Sequence, residues 1–242
     1  MLSVIDQDIT GVLVVAFYYL AVVVVNIVLG FISAFPRELV RKSYHVLCSL
    51  SIFIFLELFE TWYIAAVTAA ALFFFSWAGT LVLRKNPWIN RNFFEKIPRE
   101  DQIPQQLLYA GLVLSGVLTV FWGILGSAWK IHAATGILVW GVGDASAALF
   151  GKKYGKRRLS STFFDKDKSI EGALAFIISS FIVLFITLNY LTAWSFAAIT
   201  LIAFVLAVVG SLVEAITKKG LDTLTIPLTI SVLSALLMMV LN

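Results

Sequence analysis

Eight runs of apolar residues follow one another along this chain, and no water-soluble core can bury them all. A helix that crosses a bilayer needs about 20 consecutive apolar residues. The first run contains VLVVAFYYLAVVVVNIVLGF, and the runs together predict spans at 9–33, 43–60, 62–83, 107–126, 129–150, 170–190, 193–214 and 223–241. Hydrophobic residues make up 60% of the 242 and charged residues only 13%. A soluble domain averages about 45–50% and about 25%. Lipid is therefore the solvent in which this fold is to be read, and the fold class expected is all-α, a polytopic integral membrane protein of about eight transmembrane helices. The second run is short, so that span is expected to begin near Pro36 as an amphipathic helix. No repeat, low-complexity segment or linker divides the chain, which reads as a single domain over residues 1–242.

The first run is too long for the core of a secretory signal, and Asp6 and Asp8 stand where a signal carries positive charge. It reads as a span. Cys48 falls inside the second span and reads as a small buried apolar residue.

The basic residues set the orientation. Of the 18 lysines and arginines, all but Lys130 fall in the connections after spans 1, 3, 5 and 7. The positive-inside rule makes those connections cytoplasmic and places both termini outside. This distribution also explains the pI near 9.2 without a nucleic-acid partner. The connection after span 5 carries more than topology requires: Lys152, Lys153, Lys156, Arg157, Arg158, Lys166 and Lys168, against Asp165 and Asp167. Such density suits anionic lipid headgroups or a polyanionic ligand.

One carboxylate lies where hydrocarbon is expected. In GVGDASAALFGKKYGK, Asp144 precedes Gly151, the expected membrane edge, by seven residues. At 1.5 Å per residue it lies roughly 10 Å inside, where a charge costs up to about 2.5–3.5 kcal/mol. Asp144, Ala147 or Ala148, Gly151 and Gly155 fall on one helical face. That smooth face admits a close helix neighbour or leaves room for a ligand beside the carboxylate. GKKYGK reads as a turn whose glycine N–H groups suit an anion. GVGDAS lacks the preceding strand and third glycine of a dinucleotide fingerprint.

Further polar groups gather at the same rim. Lys168 and Glu171 sit three apart at the start of span 6, where Glu171 also suits helix capping with Ser169 or Asp167. RKSYHVL puts Arg41, Lys42 and His45 at the start of span 2, with His45 readable as an interfacial anchor or as a reactive group. Glu214 ends span 7, Lys218 and Lys219 follow, and Asp222 opens span 8, which Pro227 is expected to kink. His132, at the other face, reads as structural. Carboxylates hold Mg²⁺, and cations with glycine N–H groups hold phosphates. Asp144, Glu171, Glu214 and Asp222 beside Arg41, Lys42, Lys152, Lys168 and Lys218 therefore fit phosphoryl or nucleotidyl transfer to a membrane-dissolved substrate.

Asp144-x-x-Ala147-x-x-x-Gly151-x-x-x-Gly155 followed by KSIEG resembles the CTP-binding motif of the dolichol kinase, phytol kinase and CTP-dependent diacylglycerol kinase family. RKSYH and LDTLTIPL resemble that family's early Arg-Lys-x-x-His and late Asp-Asn-hydrophobic-x-x-Pro elements, in the same order. The chain departs from the pattern at Asp167, where lysine is common, and at Thr223, where asparagine is expected. The central motif is also similar to that of phosphatidate cytidylyltransferase, but the His-Gly-Gly and second aspartate of that family are missing from KKGLDTLTIPL.

The resemblance implies a CTP-dependent lipid-alcohol kinase acting on a polyprenol, phytol, farnesol or diacylglycerol, with nucleotidyl transfer as the alternative and a small transporter as a distant one. It further implies that Asp144 and Glu171 hold Mg²⁺ or another divalent cation on the triphosphate, with Glu214 nearby and Asp222 as another ligand or the base. Lys168, Lys152, Arg41, Lys42 and Lys218, with Gly151 and Gly155, would contact the nucleotide, and His45 or Asp222 would accept the hydroxyl proton. Trp88, Phe93 and Phe94 are expected to lie along the inner headgroup region. The expected setting is a bacterial or archaeal plasma membrane, or the endoplasmic reticulum, with the site facing the cytoplasm. The oligomeric state stays open.

Overall fold

A computed structural model describes residues 2–32, 36–92, 94–96, 102–159, 168–218 and 220–241. Phe93, Asp165, Lys166, Asp167 and Lys219 lie outside the described residues. Among the described residues, eight helices are long and apolar enough to cross a membrane: Ser3–Gly30, Arg37–Leu58, Trp62–Leu83, Ile103–Ile124, Ser127–Tyr154, Ile170–Leu191, Phe196–Ile216 and Asp222–Val240. Among the described residues there is no strand, only an isolated bridge between Arg158 and Ser169. This is an all-α polytopic membrane protein.

In chain order the helices are α1 (Leu2–Phe31), α2 (Arg37–Leu50), α3 (Ile52–Leu58), α4 (Trp62–Leu83), α5 (Pro87–Asn92), α6 (Ile103–Val117), α7 (Lys130–Leu138), α8 (Asp144–Tyr154), α9 (Ile170–Leu191), α10 (Phe196–Ile216) and α11 (Asp222–Leu241). The second span is α2 and α3 in series, starting directly after Pro36 as the sequence predicts. The fifth is α7 and α8 joined by a wider π turn, Val139–Gly143. That span is the most enclosed of the eight, and α2, α9, α10 and α11 pack around its π turn.

Local chemistry explains the boundaries. Ser169 caps α9 by accepting from the Gly172 N–H at 3.1 Å, and Ser195 caps α10 from the Ala198 N–H at 3.3 Å. Asp8, buried in α1, caps α4 from another helix, accepting from the Glu60 and Thr61 amides at 2.9 and 3.2 Å. Gly220 turns α10 into α11 with φ of 88°, a left-handed conformation that a side chain disfavours. At lipid depth, hydroxyls return their hydrogen bonds to their own helices, as Ser76 does to Leu72 O and Thr119 to Ser115 O, both at 2.8 Å. The exposed flanks carry Phe17, Phe75, Phe196 and Val240, the surface that lipid would cover.

Some boundaries differ from the sequence reading. α8 continues to Tyr154, so Lys152 and Lys153 form its last turn, where the helix dipole favours cations. Arg41 and Lys42 belong to α2 itself, in keeping with a helix that begins directly after Pro36. Phe94 is buried with the Arg84 guanidinium 5.6 Å over its ring, whereas Trp88 is exposed. Two other expectations stand. Cys48 is buried and free, and His132 is buried with Nδ1 2.8 Å from Ser234 Oγ.

Candidate active site

A cavity of about 390 Å³ opens at one rim of the bundle. Five helices wall it: α2 supplies Glu38, Arg41 and Lys42, and α8 supplies Asp144, Ala147, Ala148, Gly151 and Lys152. Gly172 and Ala173 come from α9, Glu214 from α10 and Asp222 from α11, with Arg158, Lys168 and Ser169 from the segment before α9.

Three ion pairs organise this wall. Lys42 Nζ pairs with Asp144, both buried, although 102 residues separate them. Lys168 pairs with Glu214, and Arg41 pairs with Glu38 one helical turn before it. The pairs are what lipid depth demands, since a buried ion without a partner is far costlier than the pair. Burial alone would push the Lys168 ammonium down, but Glu214 and Asp144 outweigh burial and hold its pKa above the ordinary lysine value. His45 Nδ1 lies 3.6 Å from the same Asp144 oxygen, beyond hydrogen-bond reach.

Backbone geometry sets these groups in place. The π turn directly precedes Asp144, and Gly141 and Gly143 lie within it. A Cβ on Gly141 would come within 3.0 Å of His45 O, and one on Gly143 within 2.7 Å of the Phe176 ring. The absent side chains let α2 and α9 close on the central span, bringing Lys42 and His45 to Asp144. Further along, Gly151 faces Gly172, where a Cβ on either would stand 3.3–3.4 Å from the other's Cα. The smooth face of α8 thus serves both purposes open to it: it seats α9, and it floors the cavity. Leu159 N–H donates to Lys168 O and Ile170 N–H to Arg157 O, both at 3.0 Å, which fixes Lys168 opposite Glu214. Asp222 accepts from its neighbour's amide, Thr223 N–H, at 2.9 Å.

The predicted residues divide accordingly. Arg41, Lys42, Asp144, Gly151, Lys152, Lys168, Glu214 and Asp222 come together on the cavity wall. Glu171 does not: its carboxylate turns to the Arg157 amide, at 3.3 and 3.4 Å. Gly155 is also off the wall, its N–H closing α8 on Gly151 O at 3.0 Å. Lys218 is exposed away from the wall, and His45 stands behind Asp144. The sequence reading missed Glu38, Arg158, Gly172 and Ala173. Glu38 carried a signal, its three-residue spacing from Arg41.

Among the described residues no three histidine, cysteine, aspartate or glutamate side chains form a ready metal cluster. Mg²⁺ seldom uses one, being held through one or two carboxylates together with substrate phosphates. Asp144, Glu214 and Asp222 on one wall, with cations between them, suit that mode of binding.

No protein-family model matches the chain, and no solved structure matches it. Curated relatives do. A dolichol kinase of Schizosaccharomyces pombe is 31% identical over 156 residues, covering 61% of this chain and 30% of the relative. A phytol kinase of Synechocystis is 38% identical over 99 residues, covering 40% of this chain and 41% of the relative. A dolichol kinase of Saccharomyces cerevisiae is 33% identical over 82 residues, covering 34% and 15%. The matches span less than half the length of each relative. The chain is thus similar to kinases of both kinds, over part of its own length and part of theirs.

Proposed function

We propose that the chain is a lipid-alcohol kinase that transfers the γ-phosphate of CTP to the hydroxyl of a membrane-dissolved alcohol, giving a lipid monophosphate and CDP. The observation that carries this reading is the cavity itself, where cations and carboxylates from distant segments meet at the edge of a hydrophobic bundle. A triphosphate needs the polar side of such a site, and a lipid hydroxyl needs its apolar side. The names of the relatives supply the substrate class, a long lipid alcohol. The motif beginning at Asp144 supports CTP as donor.

In this reading Lys42, Lys168, Arg41 and Lys152 take the phosphate oxygens. Asp144, Glu214 and Asp222 would hold Mg²⁺. The metal supplies charge neutralisation on the transferring phosphoryl group. Glu171 is reassigned to fastening the loop before α9, because its carboxylate already serves the Arg157 amide. Asp222 on the wall and His45 beside Asp144 are the two groups placed to take the hydroxyl proton. Phosphoryl transfer asks mainly for positioning and electrostatic stabilisation, which the ion-paired wall provides. Orientation by the positive-inside rule puts the cavity on the cytoplasmic face, where nucleotide is available.

Purified protein, labelled CTP and a panel of lipid alcohols, with products identified by mass, test the proposal. The expected products are a lipid monophosphate and CDP. Pyrophosphate and a CDP-lipid from phosphatidic acid would instead establish a cytidylyltransferase. Asp144→Asn is expected to abolish turnover while the protein remains folded in membranes, and full activity in that variant would remove Asp144 from the site.

A further inference from the structure

Two buried ring nitrogens beside Asp144 lack hydrogen-bond partners among the described residues: His45 Nδ1 and Trp140 Nε1. Their residues are 6% and 5% exposed, so bulk water does not serve them. The two rings lie against each other, with centroids 5.3 Å apart and planes 38° apart. An indole N–H can only donate, whereas a neutral imidazole offers one donor and one acceptor. Leaving such groups unmatched in a low-dielectric interior is costly, and buried polar groups in native proteins are nearly always satisfied. The pair therefore marks a place where something polar binds.

Its position narrows what binds. Trp140 precedes Asp144 by four residues, and at 1.5 Å per residue it lies about 6 Å deeper in the bundle. His45 lies one turn deeper along α2 than Arg41. Neither residue lines the polar cavity. They stand on the hydrocarbon side of Asp144, while Lys42 and the other cations stand on the open side. Among the described residues α2 packs on α1, α3, α7, α8 and the π turn that carries Trp140. A ligand reaching this pair from the bilayer is mostly apolar with one small polar end. A phosphate or carboxylate would bring a second negative charge up to Asp144, whose oxygen lies 3.6 Å from His45 Nδ1. A hydroxyl is uncharged and is donor and acceptor at once, so it matches an indole N–H beside an imidazole nitrogen in either tautomer.

We propose that Trp140 and His45 bind the hydroxyl of the lipid alcohol, with the indole N–H donating to the hydroxyl oxygen and His45 Nδ1 sharing a second hydrogen bond with the same hydroxyl. The alcohol's tail then lies toward the bilayer. This assignment rests on the lipid-alcohol kinase reading and adds Trp140 as an acceptor-binding residue. Asp144 borders both subsites, on the cavity wall and 3.6 Å from His45 Nδ1, so the hydroxyl is held beside the group proposed to bind the metal on the triphosphate.

Trp140→Phe tests it, because the ring stays and only the N–H is lost. The alcohol KM is expected to rise about 5–20-fold, the effect of losing one hydrogen bond to a substrate hydroxyl. The CTP KM is expected to stay within about twofold, and His45→Phe is expected to show the same split. An unchanged alcohol KM in folded Trp140→Phe would show that a trapped water serves the pair, and would overturn the proposal. An equal rise in both KM values would show a structural role and overturn it as well. A wild-type protein that phosphorylates no alcohol would remove the kinase reading, and this site with it.

Discussion

Replacing Lys168 with methionine tests whether the ion pairs hold the site together. Lys168 and Glu214 are joined across the mouth of the cavity, with side chains 18% and 4% exposed. Methionine preserves much of the length and apolar surface of lysine but removes the charge. Glu214 is then a carboxylate without a counter-ion in the last turns of α10. Breaking a buried pair in this way costs about 3–5 kcal/mol. The lysine side of this pair is partly hydrated by the open cavity, so the lower end, about 3 kcal/mol, is expected. Glu214→Gln should cost less, about 1–2 kcal/mol, because the stranded Lys168 ammonium can turn toward the open cavity. Lys168→Met with Glu214→Leu removes both charges and should recover most of the loss. Unfolding in mixed detergent micelles, followed by tryptophan fluorescence, gives the three free energies. Alkaline pH adds a second measurement. The pair raises the pKa of Lys168, so its contribution is complete below the ordinary lysine value of about 10.4 and is lost as pH rises through the higher folded value. That alkaline loss should be absent from Lys168→Met. If Lys168→Met costs under about 1 kcal/mol, or the double variant is no more stable than the single, the pair does not organise this wall.

Gly143→Ala places a Cβ 2.7 and 2.9 Å from two Phe176 ring carbons. It should cost about 1–3 kcal/mol, and Phe176→Leu in the same chain should restore part of the lost stability and turnover. Asp8→Ala removes the cap of α4 at the opposite end of the bundle, so a loss of about 1–2 kcal/mol with unchanged turnover is expected, and a loss of turnover in the folded variant would contradict it. Mn²⁺ binding, read by electron paramagnetic resonance, should be weak for the protein alone and at least about tenfold tighter with nucleotide. The reason is that Asp144 and Glu214 are engaged by Lys42 and Lys168 until phosphates draw the ammonium groups away. Equal Mn²⁺ affinity with and without nucleotide would refute that exchange.

What the sequence made legible follows from where each signal resides. The eight spans were readable because an apolar run is a local property, and hydrocarbon admits few structures besides a helix. Asp144 was readable because its cost is local too: a carboxylate about 10 Å inside a span demands an explanation wherever the rest of the chain goes. Its partner was not readable. Lys42 lies 102 residues away, and Arg41, Lys152 and Lys168 were equally eligible cations at the same rim. Glu171 and Glu214 show the same limit from the other side. Both are acids at helix ends facing one rim; helical spacing put Glu171 within reach of Lys168, and a shared rim left Glu214 equally eligible. The choice fell to Glu214 because the Arg157–Ile170 backbone bond turns Lys168 toward α10 and leaves Glu171 beside the Arg157 amide. The π turn and the tight seats of Gly141 and Gly143 were likewise hidden, since they depend on what α2 and α9 bring against them. In water a lysine and an aspartate are free to pair or not, so their positions say little. In hydrocarbon pairing is compulsory, which is why each buried charge announces that a partner exists, while only the fold, closing α2 and α9 onto the central span, decides which one it is.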